Sequence, residues 1–305
     1  MGVIVTYDPP AGLTERVRAV LRETARVVIV DNGSRTEPAL DTLDGTERTR
    51  VHLLKLGRNL GLAAALNRGI EAAAALGATT SLLLDHDSTP TPGMVGALLA
   101  ARSSHADPQS IAAVVPTIAY AHPDIRCRWP QSDAGQWLRF RFAVAAQLDR
   151  PTPVDLAIGS GMLISIDVWR ELGGFDEGLF IDLVDTDFCL RARSQGFEIL
   201  ATPDAVLDHR LGEVRKNRLL GLIPVFPTHH SALRHYYISR NRILLAKRHA
   251  RRFPNWLIYE LLGAAKLIVK VAVFEQGRWR KLLSMCKGTW DGLRSQPSPQ
   301  WQSGR

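Results

Sequence analysis

The first third of the chain alternates short, β-branched apolar runs with segments of helical spacing. The apolar runs are Gly2–Tyr7, Val27–Val30, Val51–Leu56 and Ser81–Leu84. The clearest helical segment between them is the Ala-rich stretch Leu62–Leu76. Alternating strands and helices predict an α/β fold, with a mostly parallel central sheet covered by helices on both faces. In such sheets ligands bind beyond the carboxyl ends of the strands.

The rest of the chain repeats this pattern less regularly. Its predicted elements are, in chain order, a strand at Ile111–Val115, a loop-rich insertion at Pro123–Pro153, a strand–glycine turn–strand at Asp155–Ile166, a helix at Val184–Gln195, a short strand at Ala205–His209 and basic helices from Leu211 almost to Trp290.

The net charge of +8 is unevenly distributed along the chain. Residues 210–305 hold 19 Lys and Arg against 4 Asp and Glu, whereas residues 1–209 hold 19 against 26. An acidic site suits divalent cations, and a basic region suits phosphates, anionic lipid or nucleic acid. This boundary predicts an acidic domain at 1–209, suited to a cation-binding site, and a basic helical region at 210–305.

Cysteine content and hydropathy predict a cytoplasmic protein. The three cysteines are odd in number and too widely spaced for a CxxC pair, which argues against a disulfide framework. The longest apolar stretch, Trp256–Phe274, contains Glu260, Lys266 and Lys270. Because a membrane crossing needs roughly 20 uninterrupted apolar residues, this stretch is not an ordinary transmembrane helix.

Two carboxylates, Asp85 and Asp87, directly follow the apolar run Ser81–Leu84. At the carboxyl edge of a sheet, the second carboxylate would reach a hard cation while the first binds a sugar or ribose. Magnesium and manganese prefer such oxygen ligands and complete their shells with substrate phosphates. The alternative is a solvated turn.

A second acidic group, Asp182, Asp185 and Asp187, begins a predicted helix. Helix capping would explain one of these carboxylates but not all three. A carboxylate here would serve as general base for an acceptor hydroxyl. His209 also follows an apolar strand, and it would complete a metal site.

Two basic segments are candidate phosphate contacts. Gly57–Gly61, with Arg58 inside it, precedes the Ala-rich helix, and a helix N-terminus beside an arginine suits an anion. Histidines, tyrosines and arginines also crowd into His229–Asn241. This second segment predicts a lid over a diphosphate with Arg240 as the phosphate contact. The alternative is a solvated basic helix.

Eight sequence pieces, in register, resemble inverting family 2 glycosyltransferases of GT-A fold, and most closely the bacterial rhamnosyltransferase branch. They are VIVTYDP, VVIVDNGS, GRNLGLAAALNRGI, LLLDHDS, GSGMLIS, GGFDEGLFIDLVDTDFCLRARSQGF, LDHRLG and RHYYISRNRILL. The resemblance covers about residues 3–245. By this resemblance Thr6 and Tyr7 line the nucleotide pocket, Asp31 binds the pyrimidine base, and Arg58 and Asn59 lie near the base and ribose.

The resemblance also implies a divalent cation, Mg²⁺ or Mn²⁺. Asp85 and Asp87 match the family's DxD motif, with Asp87 the better candidate metal ligand, and His209 matches a histidine that joins the metal shell. The cation would neutralise the charge that builds on the departing nucleoside diphosphate.

The catalytic base of the family corresponds to Asp185, and Ser160 and Gly161 border the acceptor pocket. The donor half would span about 1–115 and the acceptor half about 155–209. The implied reaction is one inverting displacement, in which Asp185 takes the proton of the attacking hydroxyl. The chain departs from the family at Val184, where many relatives have glutamate, and at His86, where the branch often has glutamine.

The branch favours dTDP-L-rhamnose as donor and a saccharide or lipid-linked oligosaccharide as acceptor, in surface polysaccharide synthesis such as that of lipopolysaccharide. One alternative is a UDP-dependent galactofuranosyl- or hexosyltransferase. A nucleotidyltransferase would need a basic glycine-rich motif near the first strand, which Thr6–Pro9 does not supply. A non-enzymatic module that binds nucleic acid is disfavoured by the acidic first 209 residues.

The basic C-terminal region predicts peripheral attachment to the inner face of the cytoplasmic membrane. On a helix, the polar residues of the stretch at 255–274 fall within one arc of roughly 120°, and a wide apolar face remains. An apolar face with basic flanks and tryptophans suits an anionic lipid surface. The alternative is that this face packs on the catalytic domain or on a second copy of the chain.

Overall fold

The computed structural model describes residues 1–120, 126–131, 141–209, 217–219, 223–225 and 230–295. The strands are β1 (Gly2–Thr6), β2 (Val27–Asp31), β3 (Val51–Lys55), β4 (Thr80–Asp85), β5 (Ser88–Pro90), β6 (Ile111–Tyr120), β7 (Arg128–Gln131), β8 (Arg141–Val144), β9 (Thr152–Val154), β10 (Leu163–Ser165), β11 (Glu198–His209), β12 (Asn217–Leu219) and β13 (Ile223–Val225). The α-helices are α1 (Leu13–Glu23), α2 (Gly45–Thr49), α3 (Leu62–Ala75), α4 (Met94–Ser103), α5 (Ile166–Glu171), α6 (Val184–Ser194), α7 (Ala232–His249), α8 (Pro254–Phe274) and α9 (Arg278–Leu293).

A mixed sheet forms the centre of the molecule. Within the described residues it has nine strands, in the order β3-β2-β1-β4-β10-β6-β11-β5, with β9 paired to β11. Strands β3, β2, β1 and β4 run parallel, and β10 is antiparallel to both of its neighbours. Every residue of β1 and β2 is buried, as expected for parallel strands covered on both faces. The predicted α/β fold is confirmed.

Two segments differ from the sequence-based expectation. Within the predicted loop-rich insertion, β7 and β8 pair as antiparallel strands, and residues 121–125 and 132–140 lie outside the described residues. The helical prediction from Leu211 onward is wrong at 217–219 and 223–225, where β12 and β13 pair, and α7 begins at Ala232. Residues 210–216, 220–222 and 226–229 lie outside the described residues. Pro224, inside β13, is a residue that disfavours a helix interior.

Helix α7 joins the C-terminal helices to the sheet domain. It packs along α9 and against the segment that precedes α6. The Phe180 ring of that segment stacks on Tyr237 of α7, with ring centroids 4.9 Å apart. Through this contact the C-terminal region packs against the residues just before α6.

Helix α8 exposes several apolar side chains, whereas one of its charged side chains faces the protein. Its predicted polar arc faces protein in part: the Glu260 side chain is 12% exposed and accepts a hydrogen bond from Arg242 at 3.0 Å. Trp256 and Val271, predicted on the apolar face, are buried. Five other apolar residues are between 46% and 55% exposed: Leu261, Leu262, Ile268, Val269 and Val273. No helix among the described residues is long and apolar enough to span a bilayer.

Candidate active site

The carboxyl ends of the parallel strands form one edge. Strand register places Thr6 opposite Asp31, and Val5 opposite Asp85. The structure therefore brings together the ends of β1, β2 and β4, as the sequence predicts. Thr6 itself is 0% exposed and its hydroxyl donates to the Val30 carbonyl at 3.4 Å. The Thr6 side chain therefore has a structural role at this edge, where it holds β1 to β2. The neighbouring Tyr7 is half-buried and thus partly open to a ligand.

A tight turn follows β2 at the same edge. Asp31 is buried and accepts hydrogen bonds from both the backbone N–H and the hydroxyl of Ser34. Gly33 has φ +85°, and a side chain there would meet the Arg58 carbonyl carbon at 2.5 Å. The glycine thus lets the turn lie directly on the loop that carries Arg58 and Asn59.

Asn32 ties this turn to that loop, a role the sequence analysis missed. The residue is 4% exposed, and its side-chain oxygen accepts from the Leu60 N–H at 2.9 Å. Its amide nitrogen donates to the Asn59 side chain at 3.1 Å. The Asn59 side chain is therefore hydrogen-bonded within the site. Asn59 is half-buried, and Arg58 beside it is exposed. The Asp-Asn-Gly turn sequence is a signal that would have identified Asn32.

The N-terminus of α3 is not the open anion site that the sequence predicts. The Leu62 N–H donates to the Phe180 carbonyl at 2.6 Å, and the Ala63 N–H lies 3.4 Å from the same oxygen. Gly61 has φ +92°, and a side chain there would lie 2.7 Å from that carbonyl oxygen. The segment before α6 therefore caps this helix, which removes two of its free N–H donors.

The two carboxylates of the Asp-x-Asp pair occupy the end of β4 and the turn after it. Asp85 is the last residue of β4, and Asp87 precedes β5; both side chains are half-buried. The Asp85 N–H donates to the Ser160 hydroxyl at 3.4 Å, and that hydroxyl lies 2.8 Å from the Ser88 hydroxyl. The Gly161 N–H donates to the Leu83 carbonyl at 2.7 Å. Ser160 and Gly161 thus fix their loop to β4.

A hard cation would find suitable donors at this turn. Pairing of β5 with β11 places the His209 backbone opposite Ser88, next to Asp87 in sequence. The His209 side chain lies outside the described part of the structure. Among the side chains described, no three His, Cys, Asp or Glu form a metal-binding group. Carboxylate oxygens at a partly open turn fit Mg²⁺ or Mn²⁺, which take further ligands from substrate phosphates.

Asp185 faces the same edge from the first turn of α6. Its carboxylate accepts hydrogen bonds from the Gly159 N–H at 3.0 Å and from the Thr186 N–H at 2.8 Å. Burial raises the pKa of Asp185 to about 6; the two N–H donors oppose this shift, and the negative charges of Asp182 and Asp85 add to it. A carboxylate with this pKa takes up and releases a proton close to neutral pH.

The other two carboxylates of the acidic group have cationic partners. Asp187 is 0% exposed and accepts from Arg191 at 2.6 Å; its other oxygen lies 3.1 Å from the His249 ring nitrogen. Asp182 is bound by Arg234 at 3.0 Å. Among the described contacts, arginines bind Asp187 and Asp182 but not Asp185. The pKa of Asp185 is instead affected by the negative charge of Asp85.

The structure buries Arg240 between α7 and the segment that precedes α6. The residue is 2% exposed, and its guanidinium donates to the Gly178 carbonyl at 3.1 Å and to the Asn241 side chain at 2.9 Å. These contacts make Arg240 an internal brace between α7 and the segment before α6. The expected contact with a donor phosphate has no support from this placement.

Comparison with known proteins agrees with this geometry. The family model described as glycosyl transferase family 2 matches residues 3–173. The dTDP-rhamnosyl transferase RfbF of Shigella flexneri is 32% identical over 250 residues, covering 81% of this chain and 79% of the relative. An N-acetylglucosaminyl-diphospho-decaprenol L-rhamnosyltransferase of Mycobacterium tuberculosis is 26% identical over 92% of this chain and 95% of its own.

Solved structures support the same fold. The crystal structure of GalNAc-T7 with UDP, GalNAc and Mn²⁺ superposes with a TM-score of 0.60 at 15% identity, and it covers 97% of this chain and 56% of that longer chain. At this identity the similarity concerns the fold alone. The family match spans more than half of the chain and includes the Asp-x-Asp turn. The chain belongs to glycosyl transferase family 2, and it is a glycosyltransferase.

Proposed function

We propose that this enzyme transfers L-rhamnose from dTDP-L-rhamnose to a saccharide acceptor, with inversion at the anomeric carbon. The observation that carries the proposal is the Asp185 carboxylate, held by two backbone N–H groups beside the Asp-x-Asp turn. The choice of sugar is supported by the similarity to two rhamnosyltransferases.

In the proposed mechanism, one side of the strand-end edge binds the donor and the other side binds the acceptor. On the donor side, the turn at Asp31 and the loop at Arg58 and Asn59 hold the nucleotide, and Asp85 binds the ribose or sugar. On the acceptor side, Asp185 accepts the proton of the incoming hydroxyl as it attacks. No covalent intermediate is needed, because a single displacement inverts the configuration.

Asp87 and His209 would hold a divalent cation on the donor side. When bound, a cation there supplies positive charge that stabilises the departing nucleoside diphosphate. We expect Asp87→Ala to abolish transfer without unfolding the protein, since the side chain lies in a partly open turn. Full activity of this variant, or of the enzyme in excess chelator, would show that no cation is held there.

A donor competition assay tests the choice of sugar. With an accepted acceptor and Mg²⁺ or Mn²⁺ present, dTDP-L-rhamnose should be consumed, and UDP-galactofuranose and UDP-hexoses should not. A melting shift gives a second readout, because a ligand at 100 times its dissociation constant stabilises by about 2.7 kcal/mol. Consumption of a UDP-sugar with no response to dTDP-L-rhamnose would establish the alternative donor class.

We further propose that α8 and α9 hold the enzyme on an anionic membrane surface, where a lipid-linked acceptor would lie. Support comes from the exposed apolar face of α8, which carries Leu261 and Leu262 outward while Glu260 pairs with Arg242 on the protein side. Trp279, 71% exposed, lies between the exposed Arg278 and Arg280. Each nearby basic residue adds about 1 kcal/mol of attraction to anionic lipid.

Liposome flotation tests this placement. The protein should float with anionic vesicles at low salt and be released as salt is raised. Leu261→Gln with Leu262→Gln should abolish flotation, whereas Leu99→Gln, at a residue 43% exposed on α4, should not. A monodisperse wild-type protein that ignores the vesicles would disprove membrane attachment, and a stable dimer would identify a second copy as the partner.

A further inference from the structure

The loop between β9 and β10 contacts both sides of the strand-end edge through three consecutive residues. The Gly159 N–H donates to the Asp185 carboxylate at 3.0 Å. The Ser160 hydroxyl accepts from the Asp85 N–H at 3.4 Å, and the Gly161 N–H donates to a β4 carbonyl at 2.7 Å. One short loop therefore joins the proposed base to the carboxyl end of β4.

The backbone of this loop is a closed turn that packs tightly on the sheet. The Met162 N–H donates to the Gly159 carbonyl at 3.1 Å, which closes the turn. Gly161 has φ +81°, and a side chain there would lie 2.7 Å from the Pro116 ring and 3.0 Å from the Leu207 side chain. Because the turn is short and closed, a displacement of Ser160 also displaces the neighbouring N–H that binds Asp185.

Ser160 supplies the one side chain of this Gly-Ser-Gly turn. It is 6% exposed, Ser88 is 1% exposed, and their hydroxyl oxygens lie 2.8 Å apart. A buried hydroxyl costs free energy unless it is hydrogen-bonded, so this pairing favours the observed position of the loop. Ser88 is the first residue of β5 and directly follows Asp87. The Ser160 hydroxyl thus contacts the Asp-x-Asp turn at both of its ends and has little surface left for an acceptor.

We propose that Ser160 is a positioning residue for sugar transfer: its hydroxyl ties the loop that binds Asp185 to the Asp-x-Asp turn and so sets the distance between the base and the donor sugar. This inference rests on the proposed roles of Asp185 and of that turn. An inverting displacement needs the acceptor hydroxyl, held by the base, in line with the anomeric carbon. A small change in the distance between the two sides therefore lowers the rate of transfer rather than the affinity for either substrate.

The test compares Ser160→Ala with Ser81→Ala. Ser81 is a matched control, because it lies on β4, is 0% exposed, and its hydroxyl has no hydrogen-bond partner within the described part of the chain. Ser160→Ala should lower kcat for transfer by about 10- to 100-fold, since a misplacement of about 1 Å costs up to about 10²-fold. Its KM for the acceptor should stay at the wild-type value. Ser81→Ala should keep both constants of the wild type.

Calorimetry with the nucleoside diphosphate of the donor that the wild type consumes gives a readout besides turnover. The Kd of Ser160→Ala should equal that of the wild type, and the binding stoichiometry gives the folded fraction of each variant. Ser88→Ala should lower kcat as Ser160→Ala does. The double variant should lose no more than either single variant, because the two hydroxyls act as a unit.

Three results would overturn the inference. Wild-type kinetics in Ser160→Ala would show that the hydroxyl positions nothing, and losses that add up in the double variant would show that the two serines act separately. A raised acceptor KM with unchanged kcat would identify Ser160 as an acceptor contact. Asp185→Asn separates this inference from the proposed function: if it is inactive while Ser160→Ala behaves like Ser81→Ala, the role of Ser160 alone is disproved. If Asp185→Asn is fully active, the base assignment itself fails.

Discussion

Asp185 and Asp187 lie two positions apart on α6 and have different surroundings. At about 100° per residue they point roughly 200° apart around the helix. Asp185 therefore faces the Gly159 N–H and the strand-end edge, whereas Asp187 faces Arg191 and His249 in the interior. The same helix turn thus supplies one reactive carboxylate and one structural carboxylate.

The first prediction concerns the proton acceptor. Asp185→Asn keeps the shape of the side chain and an acceptor oxygen for one of the two N–H donors, Gly159 or Thr186, but it cannot take a proton. Turnover should fall by roughly 10²–10⁴-fold, while donor affinity, measured by calorimetry, should change little. Loss of donor affinity with unchanged turnover of the bound donor would instead mark Asp185 as a donor-binding residue.

A second prediction follows from the pKa of Asp185, which burial raises to about 6. A general base works only when ionised, so kcat should fall as the pH drops through this value and level off above it. A pH–rate profile at saturating donor and acceptor measures the limb directly. A limb that persists in Asp185→Asn with the same midpoint would assign the titration to another group.

At the scale of the elements, the strand-end half of the site is predictable because its signals are local. Buried β-branched runs followed by turn residues locate Asp31, Asp85 and Asp87 without any knowledge of the rest of the chain. Their convergence follows from the parallel arrangement of the strands. The α7 half is different, since its contacts join residues about 60 positions apart, such as Asn241 with Leu179 and Ile181.

The two arginines of α7 show why this half could not be predicted. Arg240 and Arg234 look equivalent in sequence, yet the structure buries the first and leaves the second half-exposed. Their partners are set by distant parts of the chain, Gly178 for Arg240 and Asp182 for Arg234. Helix α9 also covers α7 closely. A side chain at Gly288 would lie 2.2 Å from the Tyr236 carbonyl oxygen, and one at Gly292 would lie 2.7 Å from the Arg240 carbonyl oxygen. The glycines let α9 lie directly on α7.

This close packing gives a third prediction. Gly288→Ala should force the two helices apart and destabilise the protein by about 1–3 kcal/mol, the usual cost of overpacking. Gly263→Ala is the matched control: it lies in α8 with nothing within 4 Å of an added side chain. The control should be neutral or stabilise by up to about 1 kcal/mol. Equal effects in denaturant titrations would contradict the close α7–α9 packing.

At the scale of the whole molecule, the predicted domain boundary near residue 210 is a boundary of charge. The buried Phe180 stacks on Tyr237 across it, and Arg240 and Asn241 hold carbonyls of residues 178–182. A fourth prediction is that a chain ending at residue 209 aggregates or loses its cooperative melting transition. A soluble, cooperatively folding 1–209 fragment would establish an independent domain.

The residues immediately before α6 have an unfavourable backbone conformation. Phe180, Asp182 and Leu183 have φ of 63°, 64° and 61°, and none is a glycine. A side chain in this region costs on the order of 1–3 kcal/mol. The protein therefore keeps three side chains in a conformation that glycine adopts without this cost.

The positive-φ residues before α6 are expected to affect turnover and thermal stability differently. Leu183→Gly removes the φ cost but also the packing of the Leu183 side chain on the core, so the melting temperature should change little. The variant should lower kcat, because a more flexible backbone holds the Asp185 carboxylate less closely in place. Selection for thermal resistance alone would then tolerate glycine at this position, and selection for turnover would remove it. A library screened separately for heat tolerance and for sugar transfer should therefore separate the two populations at residue 183.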